Sequence, residues 1–379
     1  MANILVIGKY YFPFKGGIEE NTKNVCETLA AEHSVTVLAY AHNKNSSEET
    51  INNVRIIRKP VLFNLKGQPI CLSLFSGIDL NQYDIIHFHS PNPLASAQLV
   101  WRFTFTKTPP LIVTHHMDIH GRKFLRWLSM PFIHSLLRKA DRTIVTSKKN
   151  LHISKDLPKV QNVSIVPLSI DPDNYKIDDG VRMAGKLWRK EICGEAQVVG
   201  FIGRLARYKG IVPLIKAVKQ IPDLHAVIAG DGAMREEIRT LISAEGLDAR
   251  IHLIGSVTHE DKLKVLSCID IFVFPSTEIT EAFGISQLEA MICKTPVVSS
   301  DLPTGVTDVA IHEQTALLAK PGSVPSLVAQ IERLLDDLAL REELRERAYR
   351  HIRNHMTNKV VSQKIKDIFT ECLSNEKAS

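Results

Sequence analysis

The stretch QVVGFIGRLARYKGIVPLIKAVKQI (197–221) reads as a strand, a tight basic connection and an amphipathic helix. Repeats of such a unit build a parallel sheet, because the crossover helix has to bury its apolar face against the strands it joins. The alternation recurs outward in both directions. Downstream lie LHAVIAGD (224–231), RIHLIGSV (250–257), DIFVFPS (270–276), TPVVSSD (295–301) and TALLAK (315–320). Upstream lie NILVIG (3–8), SVTVLAY (34–40), DIIHFH (84–89), LIVTHH (111–116), RTIVTS (142–147) and VSIVPL (163–168), separated from the later series by the polar run PDNYKIDDGVRMAGK (172–186). The expected fold class is therefore α/β with two Rossmann-like domains, at residues 1–172 and 190–350. From about Asp336 the chain reads as helix alone, and the last helix (351–379) is expected to pack back on the first domain.

At 379 residues, 44% hydrophobic and 23% charged, the chain is too long for one ordinary core and ordinary for a soluble protein. MANILVIGKYY enters a strand directly, with no export signal, and no run approaches the ~18 apolar residues of a membrane span, so the expected location is cytoplasmic. The six cysteines are scattered without C-x-x-C pairs or Cys/His metal spacing, and read as reduced core residues. Residues 1–170 hold 20 Lys and Arg against 11 Asp and Glu, a balance of +9 beside −3 for the remainder. A basic first half suits an anionic surface or acceptor and equally a plain solvated surface. No nucleic-acid module is recognisable.

Ligands of open parallel sheets bind beyond the carboxyl ends of the strands, so the loops there hold the candidates. After the first strand, Gly16-Gly17 precedes a helix-compatible segment; glycines admit a ligand to the backbone and a helix start attracts anions, although a lone Gly-Gly turn is more often structural. Arg204 and Lys209 flank the connection in the opening stretch and could converge on a phosphate beside the next helix's N-terminus. In THHMDIH (114–120), His115 and His116 are adjacent and point to opposite sides of an extended strand, which disfavours a metal site and leaves one histidine to face a ligand. His87 and His89 share a face and read as structural. EAFGISQLEAM (281–291) carries Glu281 and Glu289 around Gly284. The helix start would hold a phosphate, and each carboxylate could accept from a pair of sugar or ribose hydroxyls.

These pieces, with DIIHFHSPNP, ADRTIVTS, IVPLSID, IAGDGAM and EAFGISQLEAMICKTPVVSSDLPTGVTDV, resemble family 4 of the glycosyltransferases, a retaining group with two facing Rossmann-like domains, the GT-B architecture. An E-x7-E spacing alone is weak; the ordered set spans nearly the whole chain. The resemblance implies that Arg204 and Lys209 bind the donor diphosphate, Glu289 the ribose hydroxyls and Glu281 those of the transferred sugar. It also implies that the backbone at Phe283, Gly284 and Ile285 holds the distal phosphate and sugar, with Gly16 or Gly17 approaching across the cleft. His116 would stand near the reacting carbon and Val257 near the base. Ser169, Lys294 and Ala316 depart from the pattern, each replacing a common glycine.

What the resemblance implies for mechanism is a nucleotide-diphosphate sugar donor, no other cofactor and no metal, because fixed positive groups stabilise the leaving diphosphate. The acceptor would be a glycan or lipid-linked glycan in surface-polysaccharide synthesis, bound on the first domain. GRKFLRWLSMPFIHSLLRKA (121–140), with Phe124, Trp127 and Leu128 beside Arg122, Lys123 and Arg126, fits an anionic membrane surface on its inner face or an ordinary half-buried helix. Mannose from GDP-mannose is the slightly preferred donor. The alternatives are a UDP-hexose user, a related epimerase or phosphorylase, and a catalytically silent nucleotide-sugar binder.

Overall fold

The computed structural model describes residues 1–14, 16–41, 45–65, 68–105, 109–119, 123–157 and 160–378. The chain forms two compact units, Met1–Ser169 with Asn358–Ser379, and Ile170–Thr357. The first begins with β1 (Asn3–Ile7), α1 (Gly17–Ala30), β2 (Ser34–Tyr40), β3 (Ser47–Ile51), β4 (Val54–Lys59) and the small antiparallel pair β5 (Phe63–Leu65) and β6 (Gln68–Ile70). It continues through β7 (Ile85–Ser90), α2 (Pro93–Arg102), β8 (Leu111–His115), α3 (Lys123–Lys139), β9 (Arg142–Val145), α4 (Lys148–Ile153) and β10 (Val163–Ile165). Its main sheet has the order β10-β9-β8-β7-β1-β2-β4-β3, parallel except for the β3/β4 edge pair.

Strand alternation sorts the side chains onto two faces. Leu5, Ile7, Phe88 and Val113 pack with Leu99 of α2 and Ile133 and Leu136 of α3. Ile4, Val6, Val37 and Ile112 pack with Val25, Cys26 and Leu29 of α1. The strand order reverses beside β1, so the loops after β1 and β7 open at the crevice where such sheets take ligands.

The second unit comprises α5 (Asp179–Cys193), β11 (Val198–Ile202), α6 (Ile211–Gln220), β12 (His225–Ala229), α7 (Arg235–Ala244), β13 (Ile251–Gly255) and α8 (His259–Cys268). It goes on with β14 (Ile271–Phe274), α9 (Ile285–Ile292), β15 (Val297–Ser300), α10 (Val306–Val309), β16 (Leu317–Ala319), α11 (Val324–Asp336) and α12 (Leu338–His355). The sheet is wholly parallel, β13-β12-β11-β14-β15-β16, reversing between β11 and β14. Val199, Phe201, Ile228 and Val273 bury against α6, α7 and α11. The final helix α13 (Asn358–Ala378) returns to the first unit, where Val361, Ile365 and Phe369 join the face that α1 covers.

Candidate active site

In the second unit the reversal point joins two loops into one surface. Gly210 has φ +70°, and a Cβ there would lie 1.8 Å from the Pro275 carbonyl oxygen, so the loop after β11 lies directly on the loop after β14. Thr277 fixes the contact, donating to the Tyr208 carbonyl from its N–H at 2.7 Å and its hydroxyl at 3.3 Å. This seating brings Lys209 to Glu281, Nζ to Oε2 at 2.5 Å, with both side chains nearly buried. Ser276 donates to the same oxygen at 3.0 Å, and Thr304 donates to the Glu281 backbone carbonyl at 2.8 Å. Lys209 Nζ also stands 5.3 Å from the Tyr208 and Phe274 ring centroids, so a ligand displacing its carboxylate partner meets an ammonium held on aromatic faces.

Phe274 is also the floor of the next turn. Gly284 sits at φ +81°, where an added Cβ would lie 2.6 Å from the Phe274 ring, and it opens α9 with no side-chain cap. The fully buried Gln287 holds this start in place, donating to the carbonyls of Phe283 (3.0 Å) and Val306 (2.9 Å) and accepting from Ser299 (2.9 Å). A helix start without a capping side chain presents N–H groups and partial positive charge to whatever anion approaches. Phe283 is buried and Ile285 half-buried at this turn.

Glu289 lies in the second turn of α9, and its Oε1 accepts from Tyr175 Oη at 2.7 Å and from Lys262 Nζ at 2.6 Å. Tyr175 ends a short 3-10 turn and packs edge-on against His259, ring centroids 5.1 Å apart. Arg204 is exposed just after β11, and its guanidinium makes no ion pair among the described residues. Val257 is half-buried between the end of β13 and Thr258, the N-cap of α8. In the sequence Lys209 and Glu281 stand out separately, whereas Ser276, Tyr175, Lys262 and Gln287 are not among the candidates. Ser276 alone had a signal, as the residue closing the FVFPS run. The chain's single Asp-x-Asp, Asp171-Pro172-Asp173, is a capping turn: Asp171 accepts from the Asp173 N–H at 3.0 Å, and Asp173 pairs with Lys176 at 2.7 Å.

In the first unit, Gly16 caps α1 in an extended conformation (φ −170°) that any residue adopts, and Gly17 is the first helical residue. An added Cβ at 16 would meet the Glu19 carboxylate, the movable end of a flexible side chain, so neither conformation nor space demands glycine there. Lys15 of this loop lies outside the described residues. From α1, Thr22 Oγ1 reaches His89 Nδ1 at 3.4 Å, and His89 Nδ1 meets His116 Nε2 at 2.9 Å with the two rings stacked. Burial, then the neighbouring His115, pushes His116 down to about 3, so it is a neutral imidazole at ordinary pH.

His115 and His116 do point apart: His115 Nε2 bonds Asp118 Oδ1 at 3.1 Å. Burial alone would raise the Asp118 carboxyl, but hydrogen bonds from His115, Ser154 and the Lys155 N–H outweigh it and hold the group below its usual range. Asp156 joins the cluster, paired with Arg126 and pushed up by burial and by the Asp118 charge. His87 bonds Thr114 Oγ1 at 2.7 Å and packs edge-on against Phe369 of α13, 5.4 Å between centroids.

Residues 15–174 match the family model described as Glycosyltransferase Family 4, and residues 184–351 match that described as Glycosyl transferases group 1. A D-rhamnosyltransferase of Pseudomonas aeruginosa is 30% identical over 253 residues, 66% of this chain and 64% of that protein. The chain thus matches a little under two thirds of that relative's length. An O-antigen chain mannosyltransferase of Escherichia coli is 26% identical over 336 residues, 87% of this chain and 88% of that one. Among solved structures, Anabaena HepE in complex with UDP-glucose superposes with TM-score 0.76 at 19% identity, covering 98% of this chain and 100% of that one.

Proposed function

Because this chain belongs to the glycosyltransferases, with a Family 4 region ahead of a group 1 region, we propose that it is a retaining, metal-independent hexosyltransferase of bacterial surface-polysaccharide synthesis. The observation that carries this reading is the Lys209–Glu281 pair beside the uncapped start of α9 at the reversal point of the second sheet. Lys209, Arg204 and the α9 N-terminus would stabilise the charge that builds on the leaving diphosphate. Glu281 would take the hydroxyls of the departing sugar, and Glu289, oriented by Tyr175 and Lys262, those of the ribose. Phe283, Gly284 and Ile285 would admit the sugar and distal phosphate to backbone, with Val257 meeting the base.

In this proposal the acceptor hydroxyl attacks from the face the diphosphate leaves, and the leaving phosphate oxygen takes its proton. Glu281 is not the base. In the first unit, His116, neutral and fixed by His89, would be the imidazole that faces substrate. Mannose from GDP-mannose is the donor the reading favours: the two relatives named above transfer mannose and D-rhamnose, its 6-deoxy form. The acceptor would be a glycan or lipid-linked glycan.

The test is thermal-shift binding of GDP, UDP, ADP and their sugars, with chelator and then with magnesium, followed by transfer assays with the donor that binds. A shift with GDP and GDP-mannose in chelator is expected. A shift with UDP species alone transfers the reading to a UDP-hexose, and binding without turnover on any glycan acceptor refutes catalysis.

A further inference from the structure

Away from the candidate active site, Cys193, His225 and His252 converge, with their Sγ and ring nitrogens all within 4.8 Å of one another. They are 32 and 27 residues apart in sequence, so no ligand spacing announces them; the sheet does. His252 is the strand partner of Val227 on β12, two residues beyond His225, and residues two apart on a strand share a face. The two rings therefore stack diagonally across β12 and β13, centroids 5.6 Å apart, with His225 Nδ1 3.4 Å from His252 Nε2. Cys193 is the last residue of α5 and is buried, and Gly194 at φ +61° ends the helix there.

We propose that these three side chains form a binding site for a borderline-soft divalent cation, zinc, with water as the fourth ligand. Two features support it. One sulfur and two imidazole nitrogens are the donor set that selects zinc over magnesium or calcium. Tetrahedral zinc with bonds of about 2.0–2.1 Å to nitrogen holds its two nitrogens roughly 3.3–3.4 Å apart, which is the spacing the rings already have.

The charge environment acts on loading from both sides: Asp223 near His225 and Asp270 near Cys193 favour a cation, whereas burial of the thiol and the Arg189 and Arg250 guanidiniums oppose it. Burial, then Arg250, holds His225 below its ordinary range, and burial, then His225, does the same for His252, so both rings are neutral at pH 7. Burial pushes the Cys193 thiol up to about 11, against a lowering by Arg189 and a further rise from Asp270. Arg189 is neutralised by Asp270 (2.8 Å), whereas Arg250 bonds the neutral carbonyls of Val218 (3.1 Å) and Ile221 (3.0 Å) and keeps its charge. Loading then displaces one proton from Cys193 to solvent. The proton shared between the rings passes to the other nitrogen of one imidazole, so net release is one proton per metal and affinity rises with pH.

The ligands stand at the amino ends of β12 and β13, whereas the candidate donor residues follow carboxyl ends of strands on the order of 15 Å long. The site would tie α5 to the sheet and support the unit rather than take part in transfer. It is independent of the proposed function.

The tag-free full chain is titrated with zinc, and separately with cobalt as a spectroscopic probe, alongside Cys193→Ser and His225→Ala. One zinc per chain is expected, with a raised melting temperature, a thiolate-to-cobalt charge-transfer band, and affinity weakened on the order of 100-fold or more in each variant. If Cys193→Ser does not fold, the half-exposed His225 still carries the comparison. Absence of bound zinc, zinc held equally by the variant chains, or a cobalt spectrum without the thiolate band overturns the site.

Discussion

Lys209 and Glu281 are 72 residues apart and share one short ion pair. Each satisfies the other, and under the proposed function the diphosphate and the sugar hydroxyls would be received by groups that separate as they bind. Under the proposed function, replacing Glu281 by Ala is expected to lower transfer kcat/KM by about 100-fold or more while leaving a folded chain, since a group that would differentially hold the transition state is removed. It should also lower stability by roughly 1–3 kcal/mol, because Lys209 and the Ser276 hydroxyl lose an acceptor in a nearly dry place. Glu281→Gln, keeping an acceptor for Ser276, should recover most of that stability and little of the rate. Initial rates with the confirmed donor and melting curves check both parts, and near-normal turnover in the Ala variant would refute the role. The sequence showed both residues, because charged side chains in loops after strands stand out. Their pairing was hidden, since it depends on β11 lying beside β14. Tyr175 and Lys262 gave no signal at all: each reaches Glu289 from a distant segment whose local pattern is ordinary.

Strands β7 and β8 carry an unusual load for central parallel strands: His87 midway along β7, His89 near its carboxyl end and His116 just beyond β8 are all buried. Burial holds His87 down to about 3, aided by His116, and His116 down to about 3, aided by His115. It also holds His89 well below the ordinary range, aided by His87 and His116. In the unfolded chain each titrates near 6.5. The unfolded state therefore binds more protons than the folded one between about pH 6.5 and 3, and stability rises with pH across that window. It is complete above about pH 6.5 and is lost as the solution is acidified towards 3, approaching about 4 kcal/mol per pH unit if all three contribute. Urea unfolding of the first unit, followed at pH 7.0, 6.0 and 5.0, should show the midpoint falling steeply, and His87→Gln should flatten the slope by about a third. A midpoint independent of pH would mean that the rings are hydrated. The same strands were legible from DIIHFH and LIVTHH, whose apolar runs end at the histidines. VRIIRK (54–59) and SEETI (47–51) were not seen as strands, because an edge pair tolerates charge along its length and so lacks a continuous apolar run. Lys294, a departure from the family glycine, sits at φ +59°, the conformation that favours glycine, and is anchored by Glu346 at 2.7 Å.

The two-unit plan was readable because each series of strands is long enough to close a sheet and a polar run divides them. The return of α13 was readable because an apolar stripe with no following strand has to find cover. Val361, Ile365, Ile368, Phe369 and Cys372 are all buried, at helical spacing, in the first unit. Part of what remains exposed on that unit is apolar as well. On α3, Ile133, Leu136 and Leu137 face the core, while Trp127 is 72% exposed and Leu128 and Phe132 stand out on the same helix. Arg122 lies outside the described residues, as do the side chains of Lys123 and Phe124. The neighbouring α2 region adds exposed Trp101 and Phe105, packed edge-on at 5.2 Å. The helix is thus both half-buried and apolar outside, and no described helix is long and apolar enough to cross a membrane. The excess of 20 basic over 11 acidic residues in positions 1–170 motivates the proposal that this surface meets an anionic bilayer. Aromatic side chains would enter the headgroup region, and basic ones would contribute about 1 kcal/mol each near the surface. Flotation with vesicles of neutral lipid and of neutral lipid plus about one third anionic lipid tests it. Recovery should be higher on anionic vesicles, fall several-fold in Trp127→Ser/Leu128→Ser, and fall again as salt shortens the Debye length from roughly 10 Å to 3 Å. Equal recovery on both vesicles leaves the apolar contact without its electrostatic half, and no recovery on anionic vesicles at low salt means that the exposed aromatics serve another surface.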